Sequence, residues 1–392
     1  MATNTEPRLN NTRDILTISA AMCFVFLGAG AAQPFVISFV HEEKGYTLAQ
    51  ASLVLSLVYF VFVVFRFLIG HIIDILGLHC AKILGIATYA VFPFIVYKAQ
   101  SYPVLLLGSV IWGIGAPMLW TSSIVQVMNT SPATHYGRST GIVRGVTMAA
   151  IFFGTMLLST VYEHRGYRAV FLLSAVLGVL GVVTMAMSPN RRLERSRPRF
   201  GAFFELMRSH EVKVVCALLL CSGLAYGLVL NGAKTYIHQQ HGKEWLKTIM
   251  PFYSLAAIAC CFLGGWLTDH FGRWPIFAWG FATGAAGMLL AWACPAPWAL
   301  MVSLFLLGIS FAVIPVAGFG WIGDRTSPAD RTACMGYVMC FREFGVALAI
   351  QLRSLIEPVT DAFLIFGIVS AVCTVAAIAA GRLTRKAHCE AP

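Results

Sequence analysis

Twelve apolar runs, most of them close to or beyond 20 residues, follow one another along this chain with only short polar breaks. The hydrocarbon core of a bilayer takes about 20 residues of helix to cross. Inside it every backbone polar group must be satisfied within its own segment, which leaves the helix as the natural answer for such runs. Spans are therefore expected at 15–39, 48–70, 79–98, 104–128, 138–161 and 168–188, then at 213–237, 246–267, 274–293, 298–320, 331–354 and 360–380. Only 11% of the residues are charged, and mean hydropathy is +0.76. A soluble domain carries about 25% charged residues. The expected class is an all-α membrane protein with twelve transmembrane helices.

Charge sets the orientation. The net charge of +11 is concentrated rather than spread. Arg191, Arg192, Arg195, Arg197, Arg199, Arg208 and Lys213 crowd one break, and Arg382, Arg385 and Lys386 crowd the tail. Basic loops stay in the cytoplasm. This placement argues against nucleic acid as a partner and puts both termini in the cytoplasm, with a bacterial inner membrane as the expected location. The chain then divides into a lead at 1–14, a six-helix bundle at 15–188, a basic linker at 189–212, a second bundle at 213–381 and a tail at 382–392. The 11 cysteines are odd in number, sit mostly in apolar runs and show no CxxC spacing. They read as small hydrophobes, with no metal and no cofactor expected.

A short motif occurs twice. Gly70, Asp74 and Gly77 recur as Gly265, Asp269 and Gly272, each 195 residues on (265 − 70). Thr130-Ser-Pro-Ala133 before helix 5 recurs as Thr326-Ser-Pro-Ala329 before helix 11, 196 residues on (326 − 130). Two separate segments at nearly one spacing indicate duplicated halves. Such halves suit alternating access, in which two similar bundles rock about a central site.

These motifs, taken together, resemble the loop 2–3 and loop 8–9 signature and the loop 4–5 and 10–11 pattern of the major facilitator superfamily. The resemblance covers essentially the whole chain. It implies two pseudo-symmetric six-helix bundles around a cavity formed mainly by helices 1, 4, 7 and 10, flanked by 2, 5, 8 and 11. It also implies gating roles for Asp74, Asp269, Arg273, Gly70 and Gly265, with each aspartate accepting hydrogen bonds from a neighbouring helix N-terminus. The first copy departs from the family pattern: Ile75 and Leu78 stand where arginines are usual, and only the second copy keeps one, Arg273. Helix 5 carries no Gly-Pro pair of the drug/proton antiporter kind. Gly28-Ala-Gly30 through Ser52 is loosely similar to the monocarboxylate and oxalate–formate branch, although helix 8 lacks that branch's basic residue.

The sharpest candidate site is Phe341-Arg342-Glu343-Phe344-Gly345. A helix starting near Arg331 places Arg342 roughly 16 Å deep, near the middle of the core. Ionisable groups there are expensive and point to function. Glu343 is the candidate proton carrier. Arg342 and Arg144 are candidate substrate contacts, joined by Gln33, Trp120, Tyr226, Asn231 and Tyr253 on the cavity helices. Adjacent residues on a helix point about 100° apart, so Arg342 and Glu343 are expected to face different neighbours. Arg66 is expected to snorkel to the surface. The breaks at Gly28–Gly30 and Asn231-Gly232 are expected to line a cavity.

No phosphate-binding glycine loop, HExxH or nucleophile elbow is present, so the chain is not expected to be an enzyme. The reading is a secondary active transporter, acting as a monomer, that moves a small carboxylate-bearing anion with a proton. The alternatives are a proton-driven exporter of a hydrophobic or metabolite-like compound, such as a drug or siderophore, and a scaffold or sensor that transports nothing.

Overall fold

The computed structural model describes residues 11–190, 200–242, 244–328, 330–353 and 359–389, and these residues contain no strand. Among them, helix α1 is built from Asn11–Val25, a π-helical turn Phe26–Gly30 and Ala31–Glu42. Then come α2 (Leu48–Leu76), α3 (Leu78–Lys98) and α4 (Tyr102–Thr130). The long helix Tyr136–Ala186 is broken at Gly166 (φ 74°), giving α5 before it and α6 after it. In the second half, α7 repeats the design of α1: His210–Leu228, a π-helical turn Val229–Ala233, then Lys234–His241. The last five are α8 (Glu244–Phe271), α9 (Arg273–Ala293), α10 (Pro297–Arg325), α11 (Arg331–Arg353) and α12 (Val359–Cys389).

Among the described residues a helix stands at each of the twelve expected positions. Most helices run a few residues beyond the apolar runs, because backbone hydrogen bonding continues past the point where side chains turn polar. Ten stretches qualify as membrane spans on length and composition alone, with Ala133–Ala186 counted as one. Helix α11 is not among them; it carries Arg331, Arg342 and Glu343 along its length. The expected irregularities at Gly28–Gly30 and Asn231-Gly232 take the form of the two π-helical turns. Such turns often mark functional sites.

The repeated motif has a plain local cause. Gly77 (φ 78°) and Gly272 (φ 87°) both take the left-handed backbone that a side chain disfavours. Each ends a helix by donating its N–H four residues back, to Ile73 at 2.7 Å and to Thr268 at 3.1 Å. The next helix starts at once in both copies.

The two bundles meet along two matching seams, α5 against α8 and α2 against α11. A methyl group on Gly141 would sit 2.5 Å from the Cys261 carbonyl, and one on Gly336 would sit 2.6 Å from the Arg66 carbonyl. Both residues of the first pair are 195 positions from their counterparts in the second (336 − 141, 261 − 66). Small residues let backbones approach closely in membranes. Helix α10 is largely enclosed by its neighbours, whereas α8 leaves most of its apolar face outward. Large apolar side chains such as Phe60, Phe153, Met156, Leu263 and Val375 are exposed, as a lipid-facing surface requires. Helix α12 continues to Cys389, and a short helix, Phe200–Leu206, lies within the segment expected as linker.

At the end carrying the termini, the first bundle is tied by a buried polar knot. Lys82 of α3 is fully buried. Its Nζ donates to Gln126 Oε1 and to Ser188 Oγ at 2.9 Å. Gln126 Nε2 in turn donates to Asp14 Oδ1 at 2.5 Å and to the Pro189 carbonyl at 3.1 Å. Gln126 of α4, a polar residue on a cavity helix, belongs to this knot. Removing one partner of a buried charged network costs about 3–5 kcal/mol. Lys82→Met should therefore lower the detergent-solubilised melting temperature clearly, while Ser188→Ala changes it little; equal, small shifts would show the knot to be unimportant.

Candidate functional site

Close packing of α7 on α11 builds the site. A methyl on Gly223 would collide with the Arg342 carbonyl, and one on Gly345 with the Leu220 carbonyl. These glycines bring the two backbones together and set the Arg342-Glu343 step at the seam between bundles. Glu343 Oε1 accepts from Arg342 Nη1 at 2.9 Å and from Arg66 Nη1 of α2 at 3.3 Å. The carboxylate thus bridges the bundles.

Two expectations are corrected here. Arg342 and Glu343 do share one spot, because the long arginine side chain folds back over the 100° between them. Arg66 does not snorkel; it is 4% exposed and pairs inward with Glu343. An interhelical carboxylate in reach outweighs the pull of the surface one turn away. Sequence position alone could not reveal that partner, 277 residues distant.

Arg144 of α5 stands without a carboxylate within salt-bridge distance among the described residues. Its guanidinium lies 5.5 Å from the centroid of Trp120, 5.7 Å from Phe311 and 5.8 Å from Phe319. Arg342 lies 5.4 Å from Tyr226 and 5.5 Å from the same Phe311 ring. Desolvated cation–π contacts of this kind contribute up to about 2 kcal/mol each. Arg144 and Arg342 are both 6% exposed. The Nε of each, and Nη2 of Arg342, find no hydrogen-bond partner among the described residues.

Tyr226 packs at 4.4 Å and Tyr253 at 5.6 Å from Phe311, ring to ring. With Ser222 and Ser310 they line a narrow cleft between α7, α8 and α10. The Tyr253 hydroxyl in its wall is buried and finds no hydrogen-bond partner among the described residues.

The structure therefore brings Glu343, Arg342, Arg144, Trp120, Tyr226 and Tyr253 into one cluster. Gln33 accepts from the Tyr59 hydroxyl at 3.0 Å. The side chains of Asn231, Lys234, His238 and Arg353 lie outside the described residues. Phe311, which touches both arginines, had no signal in the sequence beyond being one phenylalanine of 28.

At the termini end the seams are shut. Asp269 accepts from the backbone N–H of Gly137 at 2.9 Å and of Arg138 at 2.7 Å, at the N-terminus of α5. Arg273 donates to Asp269 at 2.7 Å and to Asp324 at 2.9 Å. Gly265 lies backbone to backbone against Gly137. Asp74, expected to make the matching bonds, receives no hydrogen bond among the described residues. The residue after it, Ile75, is 79% exposed where the second copy has a histidine. At the α11 N-terminus, Arg331 reaches instead across the seam to Asn129 and, at 3.0 Å, to the Tyr136 hydroxyl. One half of the expected pair of latches is made by a motif carboxylate and the other by an arginine.

The Major Facilitator Superfamily model matches residues 18–276 and 215–388. The chain belongs to the Major Facilitator Superfamily. It is thus a multi-pass membrane protein and a secondary transporter, not an enzyme. An uncharacterised MFS-type transporter of Escherichia coli O6:H1, YhhS, is 23% identical over 404 residues, covering 99% of this chain and 97% of its own. One from Burkholderia mallei strain SAVP1 is 22% identical over 354 residues, covering 86% and 84%. Among solved structures, the human organic anion transporter MFSD10 (TETRAN) superposes with a TM-score of 0.76 at 13% identity, covering 94% of this chain and 99% of that one. The MFS transporter FucP in its outward conformation gives 0.74 at 14%, covering 93% and 97%. At these identities the solved structures speak for the fold alone.

Proposed function

We propose that this transporter moves a small organic anion, carboxylate-bearing, together with a proton. The observation that carries the reading is the buried cluster at the seam: among the described residues three arginines, Arg66, Arg144 and Arg342, face a single carboxylate, Glu343. Buried cations with unfilled N–H groups favour a carboxylate, which takes paired charge-assisted hydrogen bonds from a guanidinium. Glu343 carries the proton. Protonation removes the charge that holds Arg66 to α11, and an anion competes for Arg342, so both ligands loosen the same bridge between bundles. Reorientation follows when Asp269 and Arg331 release the termini end. The basic linker and tail support a cytoplasmic placement of that end, in a bacterial inner membrane. MFSD10 is described as an organic anion transporter and a FucP structure as a fucose:proton symporter, so this fold serves either kind of chemistry.

The rings around the arginines favour one rival, an exporter of a hydrophobic compound driven by proton antiport. Counterflow in proteoliposomes separates the two. Labelled carboxylates should exchange, and Arg342→Ala should weaken their apparent affinity by about 10-fold or more, the worth of one charged hydrogen bond. Exchange of amphiphilic dyes but of no carboxylate would decide for the rival.

A further inference from the structure

We infer that the solute is a dianion, its two negative groups taken by one arginine from each bundle, Arg144 and Arg342. The inference rests on the anion reading above and sharpens it. Counting charges leads to it. Arg66, Arg144 and Arg342 are 4–6% exposed, and the one carboxylate paired within this cluster is Glu343. The empty site thus carries two positive charges in surroundings of low dielectric, where each uncompensated charge is strongly unfavourable. A monoanion leaves one of them standing. A dianion leaves none.

Geometry agrees with the count. Glu343 already engages Arg66 and one Nη of Arg342. What remains open is Nε and Nη2 of Arg342 on α11, and Nε of Arg144 on α5, which faces no carboxylate among the described residues. Both guanidiniums rest against the same ring, Phe311, at 5.5 and 5.7 Å, so one small solute can reach both. Arg144 is held by aromatic walls rather than by an acid, and Arg342 keeps Nε and Nη2 unpaired beside its contact with Glu343. The two come from different bundles, so a solute holding both ties the bundles together at the seam that must move. Charge count also suits the proton. With a dianion and a proton both aboard, the cluster carries one positive charge, less than the empty site; with a monoanion and a proton it carries two, no better than empty.

Half-esters test this, because esterifying one acid removes one charge with little change in size. Binding of succinate and phthalate to the purified protein is compared with that of their monomethyl esters, in chloride-free buffer. Each diacid should bind about 10- to 100-fold tighter than its half-ester, the worth of one charged hydrogen-bonded contact. In Arg144→Gln that preference should vanish; Arg144→Lys, which keeps the charge, should keep it. If Arg144→Gln does not fold, the wild-type comparison and the lysine variant still decide. Half-esters binding as tightly as the diacids to the wild type would overturn the dianion while leaving the anion reading in place. No binding by acids of either kind, with binding of a neutral amphiphile, would overturn both.

Discussion

Glu343→Gln should abolish accumulation driven by a pH gradient while leaving solute exchange intact. The glutamine keeps the size of the side chain but can neither take up nor release a proton. It also cannot neutralise Arg66 and Arg342, whose 3.3 and 2.9 Å pairs both end on the same oxygen. Two buried guanidiniums then turn to the solute for their counter-charge, so anion affinity should rise, by about 3- to 10-fold, if roughly 1 kcal/mol of the lost pairing passes to the ligand. The combination is diagnostic: tighter binding, exchange within about 3-fold of the wild type, and no response to an imposed pH gradient in proteoliposomes. Accumulation that still follows the gradient would remove Glu343 from the proton path. Weaker binding with full pH coupling would show the carboxylate to be merely structural.

Asp269→Asn should open the termini end, and Asp74→Asn should do little. The two aspartates hold equivalent places in the repeat, yet only Asp269 caps a helix N-terminus, through Gly137 and Arg138, and pairs with Arg273. Hydrogen bonds to a charged group contribute about 1.5–3 kcal/mol each. Losing about 3–5 kcal/mol of such contacts shifts a two-state equilibrium by roughly 100-fold or more. Paired spin labels on the exposed residues His135 and Phe271, across the α5–α8 seam, should report a longer distance in Asp269→Asn, with transport falling by a similar factor. Asp74→Asn should stay within about 2-fold on both measures. Equal damage from the two variants would mean that Asp74 latches a state other than the one seen here.

Most of the fold was legible in the sequence, because membrane insertion is a local test. A helix of about 20 apolar residues satisfies its own backbone whatever lies beside it, so span positions follow from composition. The pair of left-handed glycines, Gly77 and Gly272, follows from local backbone geometry in the same way. The duplication is visible as a spacing. Even the depth of Arg342 and Glu343 comes from counting along one helix.

Partnership was not legible, since it depends on which helices are neighbours. Arg66 has the same surroundings in sequence as an arginine snorkelling to the surface; it turns inward only because α2 crosses α11 at Gly336 and brings Glu343 within reach. Nothing in the sequence around Gln126 shows that α3 and α1 deliver Lys82 and Asp14 beside it. Phe311 becomes the ring between two arginines only when α10 lies against α5 and α11. By itself, then, the sequence determined that the chain crosses a bilayer as two repeated sets of six helices and that costly charges sit deep in it. Which of those charges neutralise each other, and which of the two motif aspartates caps a helix across the seam, were decided by tertiary structure alone. The physical reason is range: hydrophobic burial and backbone hydrogen bonding act along a segment, whereas the fate of a buried charge is decided by whatever side chain packing places within about 4 Å of it.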